Sequence, residues 1–561
     1  MSVLSSQTAS PTPTLREPPE AKSCVEKTEK SYDADGVRDG ENRIELKLIF
    51  IMMFAYLLAA LDGVMTPNLV PKIADQFHSL GDVGWYSSAY LLAGASQLLF
   101  GTLYSILPVK WVYLGHILSA LSDPYLEVYV GTICIFDLGS LICGVSPTST
   151  ALIIGRAIVG LGAAGIGAGT WIIVSRIVPM QRRPLYVGAF ATGSGIISVV
   201  GPLLGGVFAD KLSWRWRVAY YVDSIIGGLT LLMVTIFFNS QALKRKSKSV
   251  SLRDCIKLFG PLVIFIPGIT SLLLALNWGG SKYPWKSGVE IALFILSGVL
   301  ISIFIALQVW KKDQATIPPR IVMQRSIFAG VAFLIALNGS SNIILNYMPI
   351  YFQAIKGVAA TNSAIDNLPR KVALIPGYII GGVAVTAIGY YTPFVILSSI
   401  LTTLGTALLS TLTVHSRPNH WIVFQAIHGF GYGIGSHQAL VAAQTVLKPE
   451  DIPLATSLLI FFPALGDSVF ISVAQNVFTN RLRADLISQV PAVNPAVVLD
   501  SGAKSLRSAV DPKLLPAVLG VYNEALVSAF HVAFALACFS FIGAFVMEWK
   551  SVKLKAAQKQ A

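Results

Sequence analysis

The chain has 561 residues and a mass of 60.2 kDa, with 54% hydrophobic residues, only 13% charged ones and a mean hydropathy of +0.66. A soluble domain carries about a quarter charged residues, so this composition excludes an ordinary water-soluble enzyme. The net charge of +13 sits in short stretches between apolar runs rather than on one face, which fits basic inner loops of a membrane protein better than a nucleic-acid surface.

In chain order, residues 1–46 are polar and rich in Pro, Ser, Thr, Glu and Lys. That is the composition of a disordered cytosolic tail, with no apolar core for a signal peptidase. Apolar runs of about 20 residues, the length that crosses a hydrocarbon core of about 30 Å as a helix, follow at 47–67, 84–106, 111–147 (interrupted), 150–175, 185–208, 218–238, 259–277 and 288–309. A second set lies at 326–352, 372–391, 394–413, 421–446, 454–477 and 526–547, which predicts an all-α membrane protein of about fourteen transmembrane helices. With the N-terminus inside, the inner segments hold 26 Lys and Arg against 15 outside, five of these in the long outer loop 478–525. The densest basic stretch, Lys244, Arg245, Lys246, Lys248 and Arg253, falls in a cytosolic linker over 239–258, and the basic tail 548–561 returns to the cytosol.

The third span is interrupted, because residues 116–131 place Asp123, Pro124 and Glu127 inside one helix. If both apolar pieces crossed the membrane, every later loop would change sides, against the charge rule. Removing residues 116–131 joins Val112-Tyr113-Leu114-Gly115 to Thr132-Ile133-Cys134 and restores one helix, so the segment reads as a short in-frame insertion, with an unspliced intron as one source.

Two motifs place single charges inside the membrane: Leu61-Asp62-Gly63 at the end of span one and Gly155-Arg156-Ala157 in span four. A charge near the bilayer centre costs about 2.5–3.5 kcal/mol and normally faces a partner or a cavity. At 1.5 Å per residue, Asp62 lies roughly 22 Å above the inner boundary and Arg156 roughly 9 Å below the outer one, about the same depth. Two readings stand: a charge pair or proton site lining a cavity, and a buried structural pair or helix cap. Span five carries Gly188 and then Gly201-Pro202-Leu203-Leu204-Gly205-Gly206. The glycines let another helix approach closely and Pro202 permits a bend, so plain helix packing would also explain the pattern.

These motifs together resemble the major facilitator superfamily, and Gly201-Pro202-x-x-Gly205-Gly206 resembles its antiporter motif. The resemblance implies two six-helix halves, 47–238 and 326–547, around a central cavity. Two extra central helices within 259–309 are similar to the fourteen-spanner drug:proton antiporter branch. Ser213-Trp214-Arg215-Trp216, Trp278-Gly279-Gly280, Gly389-Tyr390-Tyr391-Thr392-Pro393-Phe394 and Gln475-Asn476-Val477-Phe478 further resemble fungal efflux carriers of toxins and secondary metabolites. The chain departs from the pattern at Ser105, where the inner-gate motif has Asp, at Ile197, at Asp223 in a segment that lacks the usual Asn-Leu-Pro, at Arg370-Lys371, and at Asp467 where glycine is usual.

Asn338, Asn342 and Asn346, four residues apart on one helical stripe, are candidates to line a substrate cavity or to bond between helices. His437 and Gln438 follow a run of alternate glycines in span twelve, and a lone His is often simply hydrogen-bonded. Proton coupling is expected at Asp62, paired with Arg156, and secondarily at Asp137 near mid-membrane. No P-loop supplies ATP drive. The five cysteines are odd in number and scattered, so neither cofactor nor metal is expected, and no catalytic set is visible.

The expected function is proton-coupled export of amphipathic small molecules by alternating access, from a monomer in the plasma membrane whose partners are its substrate, protons and lipid. A siderophore-type importer of the same fold, or a non-transporting sensor or decayed relative, are the alternatives.

Overall fold

The structure, a computed structural model, describes residues 34–77, 83–94, 96–106, 124–210, 216–237, 252–279, 283–312, 315–499, 506–507 and 510–553. The N-terminal tail up to residue 33, most of the 239–258 linker and the end of the C-terminal tail fall outside these residues.

The elements are helices joined by turns. In the N-terminal half they are α1 (Ala34–Phe77), α2 (Val83–Gly94), α3 (Gln97–Ile106), α4 (Pro124–Val145), α5 (Ser149–Ile177), α6 (Arg183–Asp210) and α7 (Trp216–Phe237). Next come α8 (Leu252–Trp278) and α9 (Gly288–Lys311). The C-terminal half holds the short α10 (Pro319–Val322), α11 (Arg325–Ile350) ending in a π-turn at Tyr351–Ile355, the short α12 (Ala360–Asp366), α13 (Leu368–Ile388), α14 (Thr392–Leu409), α15 (Pro418–Gly435), α16 (Gln438–Val446), α17 (Ile452–Gln489) and α18 (Leu515–Val546). Their ends carry recognisable signals. Thr148 and Ser287 cap α5 and α9 by accepting from Ala151 N and Glu290 N. Gly389 ends α13 at φ +91°, a left-handed conformation that suits glycine.

Each of the fourteen expected segments contains helix. Among the described residues, eleven helices are long and apolar enough to cross a membrane. Two of the other three segments are interrupted, the second between Gly94 and Gln97 and the twelfth at Ser436-His437, whereas the seventh lies within the continuous α8, which carries Pro261 and Pro267.

Several boundaries need correction. The helix of span one begins at Ala34, so residues 34–46 are helical rather than part of a disordered tail, and the stretch from 252 to 258 belongs to α8 rather than to a linker. The outer loop is shorter than 478–525. Helix α17 runs on to Gln489 and α18 starts at Leu515, because Phe478, Leu482 and Leu486, and then Val518, Tyr522 and Ala525, recur at helical spacing on one buried face. The intervening Val490, Val493, Val498 and Val510 are buried in the same core cluster. The tail 548–561 is not free over its first residues: Val552 is buried and its N–H donates to Gly389 O at 2.9 Å.

Half of the expected insertion 116–131 is among the described residues. Residues 124–131 form the first two turns of α4, with Pro124 at its start. Tyr129 is buried, and its hydroxyl pairs with Thr170 Oγ1 at 3.0 Å and donates to Met52 O at 3.4 Å. The other half of the segment lies outside the described residues.

Helix α5 is the most enclosed of the eleven, with 72% of its apolar window buried. Glycines make this possible: a Cβ at Gly162 would collide with the backbone of Phe136 on α4, and one at Gly160 with the backbone of Tyr90 on α2. The alternate glycines of α15 serve the same purpose. Gly433 packs against Gly377 on α13, Gly429 against the backbone of Arg370, and Gly431 against α14.

Candidate functional site

The charge pair exists as a sealed unit. Asp62 is fully buried and Arg156 is 2% exposed, and Arg156 Nη1 donates to both carboxylate oxygens of Asp62 at 2.8 Å. Thr66 Oγ1 donates to Asp62 Oδ1 at 3.3 Å from one turn further along α1. Arg156 Nε donates to Tyr86 O at 3.2 Å, and its guanidinium lies over the Tyr90 ring at 4.6 Å. The pair therefore ties α1, α2 and α5 together. Asp137 is elsewhere: it packs against Gly227 of α7, where any side chain would collide with its carboxylate, and its Oδ1 is buried without a hydrogen-bond partner.

The antiporter-motif residues lie on α6. Gly188 faces α13, where a Cβ would come within 2.9 Å of Tyr378 O and 3.1 Å of Gly382 Cα. Gly201 faces α1, where a Cβ would come within 3.1 Å of Val64 Cγ1. Pro202, Gly205 and Gly206 continue the helix. Further along the α6–α13 seam, Lys371 Nζ donates to Ser198 O at 2.9 Å. Glycine packing joins the two halves at this seam.

The asparagine stripe does not act as one surface. Asn338 accepts from Tyr432 Oη at 3.0 Å, and Asn346 turns its amide onto Asn342 O of its own helix at 2.8 Å. Gln438 bonds back to Ile434 O at 3.2 Å. His437 sits at the break between α15 and α16, against Tyr378 and Trp171 with ring centroids 5.2 and 5.8 Å away. Arg370, unplaced by motif reasoning, is buried in the C-terminal half, where it donates to Ser341 O at 3.2 Å, to Ser341 Oγ, and to His428 Nδ1 at 3.4 Å.

A cavity of 340 Å³ opens between α1, α2, α3, α5, α8 and α17. Its wall includes Tyr56, Tyr90, Gln97, Trp171, Phe461 and Ser468. None of the asparagines lines it, and His437 stands one layer behind Trp171. The cavity touches the charge site through Tyr90, whose ring lies under the Arg156 guanidinium. The wall is largely aromatic and aliphatic with a few polar tips, a surface suited to amphipathic ligands. Sequence reading missed these residues because aromatic side chains in an apolar run carry no signal of which face they occupy; only Gln97, a lone amide in span two, stands out.

One end of the molecule is closed below the cavity. Gly101 on α3 meets Ser457 and Pro453 O on α17 with no room for a side chain, and Arg183 Nη1 donates to Gln444 O at 3.4 Å. At the same end Arg320 holds both carboxylate oxygens of Asp451 at 2.8 Å. Glu548 there accepts from Ser326 Oγ at 2.8 Å and Gln324 Nε2 at 3.0 Å. Burial would raise the pKa of Glu548, but these bonds and Lys550 outweigh it and hold the carboxyl below its usual range. The side chain of Ser105 lies outside the described residues.

The family model of the Major Facilitator Superfamily matches residues 52–466. An MFS-type efflux pump of Arthroderma benhamiae is 44% identical over 522 residues, 92% of this chain and 94% of the relative. An MFS-type transporter of Aspergillus oryzae is 44% identical over 548 residues, 96% of this chain and 93% of the relative. Among solved structures, the MFS proton:xylose symporter XylE is similar with a TM-score of 0.55 at 12% identity, over 92% of this chain and 99% of that one.

Proposed function

The chain belongs to the major facilitator superfamily, and from that premise we propose that it exports amphipathic small molecules, secondary metabolites or drugs among them, by proton-coupled alternating access. The observation that carries this reading is the 340 Å³ aromatic cavity between helices of both halves, set beside a buried carboxylate–guanidinium pair. A hydrophobic wall with few polar groups selects by shape and amphipathicity, and a charge site in contact with that wall through Tyr90 gives protonation a route to substrate affinity. The relative named an efflux pump supports the outward direction. Fourteen crossings, both termini in the cytosol and residence as a monomer in the plasma membrane complete the proposal. In that orientation the closed end at Gly101, Arg183 and Arg320 faces the cytosol.

The test is accumulation of a fluorescent amphipathic panel in yeast stripped of its own pumps. Expression is expected to lower accumulation, a protonophore to abolish the effect and vanadate to leave it unchanged. Vanadate-sensitive, protonophore-resistant export would overturn the mechanism.

A further inference from the structure

Asp223 lies on α7, seven residues from its first residue Trp216, and Arg156 lies seven residues from Ser149 at the start of α5. At 1.5 Å per residue each is about 10 Å into its helix. Asp223 is fully buried, and among the described residues neither of its carboxylate oxygens has a hydrogen-bond partner. Helix α4 sets it at the level of the pair: Cys143 packs on Gly155, next to Arg156, Gly144 packs on the Tyr221 ring two residues before Asp223, and Asp137 packs on Gly227 one turn after it. Tyr90 on α2, under the Arg156 guanidinium, and the buried Tyr220 on the same helix as Asp223 are the other titratable groups of the cluster. Arg156 is the one cation in this set.

Arg156 neutralises one carboxylate, and the short bonds at 2.8 Å commit it to Asp62. A second ionised carboxylate would leave the cluster with one uncompensated negative charge in apolar surroundings, and a group so placed neutralises itself rather than stay ionised. We propose that Asp223 is the proton-carrying carboxylate of this transporter, sharing the single cation Arg156 with Asp62 so that the three residues hold one exchangeable proton.

The cluster is neutral with the proton on Asp223 and singly negative without it. Loading forms one O–H bond at an Asp223 oxygen with a proton taken from hydronium on the side to which the site is open. Unloading returns that proton to water on the other side, and no other bond changes. This reassigns the proton from Asp62, whose oxygens are occupied by Arg156 and Thr66. The site stands on burial and charge alone; its role in transport rests on the exporter reading above.

Two measurements separate the parts. The first is infrared difference spectroscopy between acid and alkaline buffer on the full-length protein in lipid nanodiscs. The wild type is expected to show a protonated-carboxyl carbonyl band that disappears in Asp223→Asn and persists, displaced, in Asp223→Glu. Asp137→Asn is expected to leave the band in place. Asp62→Asn is expected to remove it, because Arg156 then pairs with Asp223 and no proton is needed, an effect that a merely structural Asp223 would not produce.

The second measurement is ethidium movement in proteoliposomes under an imposed pH gradient. Asp223→Asn is expected to keep ethidium exchange down its own gradient and to lose the component driven by pH. A band that survives in Asp223→Asn, or pH-driven transport that does, overturns the proposal. If the wild type moves no ethidium under any gradient, the exporter reading fails for that compound, and the carbonyl band still decides the proton site.

Discussion

Asp62 and Arg156 illustrate how a buried ion pair constrains its own substitution. Removing one member of such a pair costs about 3–5 kcal/mol, because a charge remains buried without a partner. The presence of Asp223 makes the two members unequal. Arg156→Ala leaves two carboxylates without a cation and is expected to lower stability by about that amount. Asp62→Asn leaves Arg156 within reach of another carboxylate and is expected to cost less. Thermal unfolding of the purified variants in detergent checks the order, and equal losses would contradict it. The motifs around Asp62 and Arg156 made their charges legible in the sequence, and equal membrane depth anticipated the pairing. Asp223 was visible only as a departure from a familiar pattern, since nothing in a linear motif says that the packing of α7 on α4 encloses this residue. The partners of the asparagine stripe were hidden for a related reason: residues four apart share a helical face, but Asn338 meets Tyr432 of α15 while Asn346 turns back onto its own helix.

At the scale of elements, α4 carries a repetition with a structural consequence. Val128-Tyr129-Val130-Gly131, which enters the core through Tyr129, echoes Val112-Tyr113-Leu114-Gly115 sixteen residues earlier. Excising residues 116–131 would bring Tyr113 into the helical register that Tyr129 now occupies, against Thr170 and Gly169. The shortened chain is therefore expected to fold with a melting temperature close to that of the full one. Tyr113→Ala in the shortened chain should destabilise it as much as Tyr129→Ala does the full chain, by at most about 3–5 kcal/mol, the range known for large aromatic truncations. Thermal melts of the four proteins test this, and collapse of the shortened chain alone would refute it. Helix existence and type were legible throughout because hydropathic runs of about 20 residues leave few alternatives. Helix ends were not, because α17 and α18 continue past their apolar runs on amphipathic turns whose buried face is supplied by another part of the chain.

For the molecule as a whole, the α6–α13 seam joins the halves through glycines rather than through large interlocking side chains. Close backbone approach of this kind permits one surface to roll on the other while contact is kept. Gly188→Leu inserts a side chain where only 2.9 Å separates a Cβ from Tyr378 O. It is expected to abolish export from yeast while the protein still reaches the cell surface, as surface labelling would verify. Unimpaired export in that variant would mean that the seam does not stay in contact during the cycle. The sequence made the glycines of α6 legible as a packing face but not their partner on α13, because the two helices are brought together only by the meeting of the halves.

Helix α9 stands apart in this architecture. Only 17% of its apolar window is buried, the lowest share among the eleven candidate spans, and it packs chiefly on α8. Trp285 at one end is tied to Asn476 of α17 by a 3.0 Å hydrogen bond, whereas Trp310 at the other is 77% exposed. The helix from Gly288 to Trp310 is about 33 Å long at 1.5 Å per residue, a little more than the roughly 30 Å of hydrocarbon in a typical bilayer. Indole rings favour the headgroup layers, so α9 resembles a ruler laid against the membrane and pinned at one mark. A thinner or thicker membrane is accommodated by tilting this ruler, which spares the helices around the cavity from bending with the lipid.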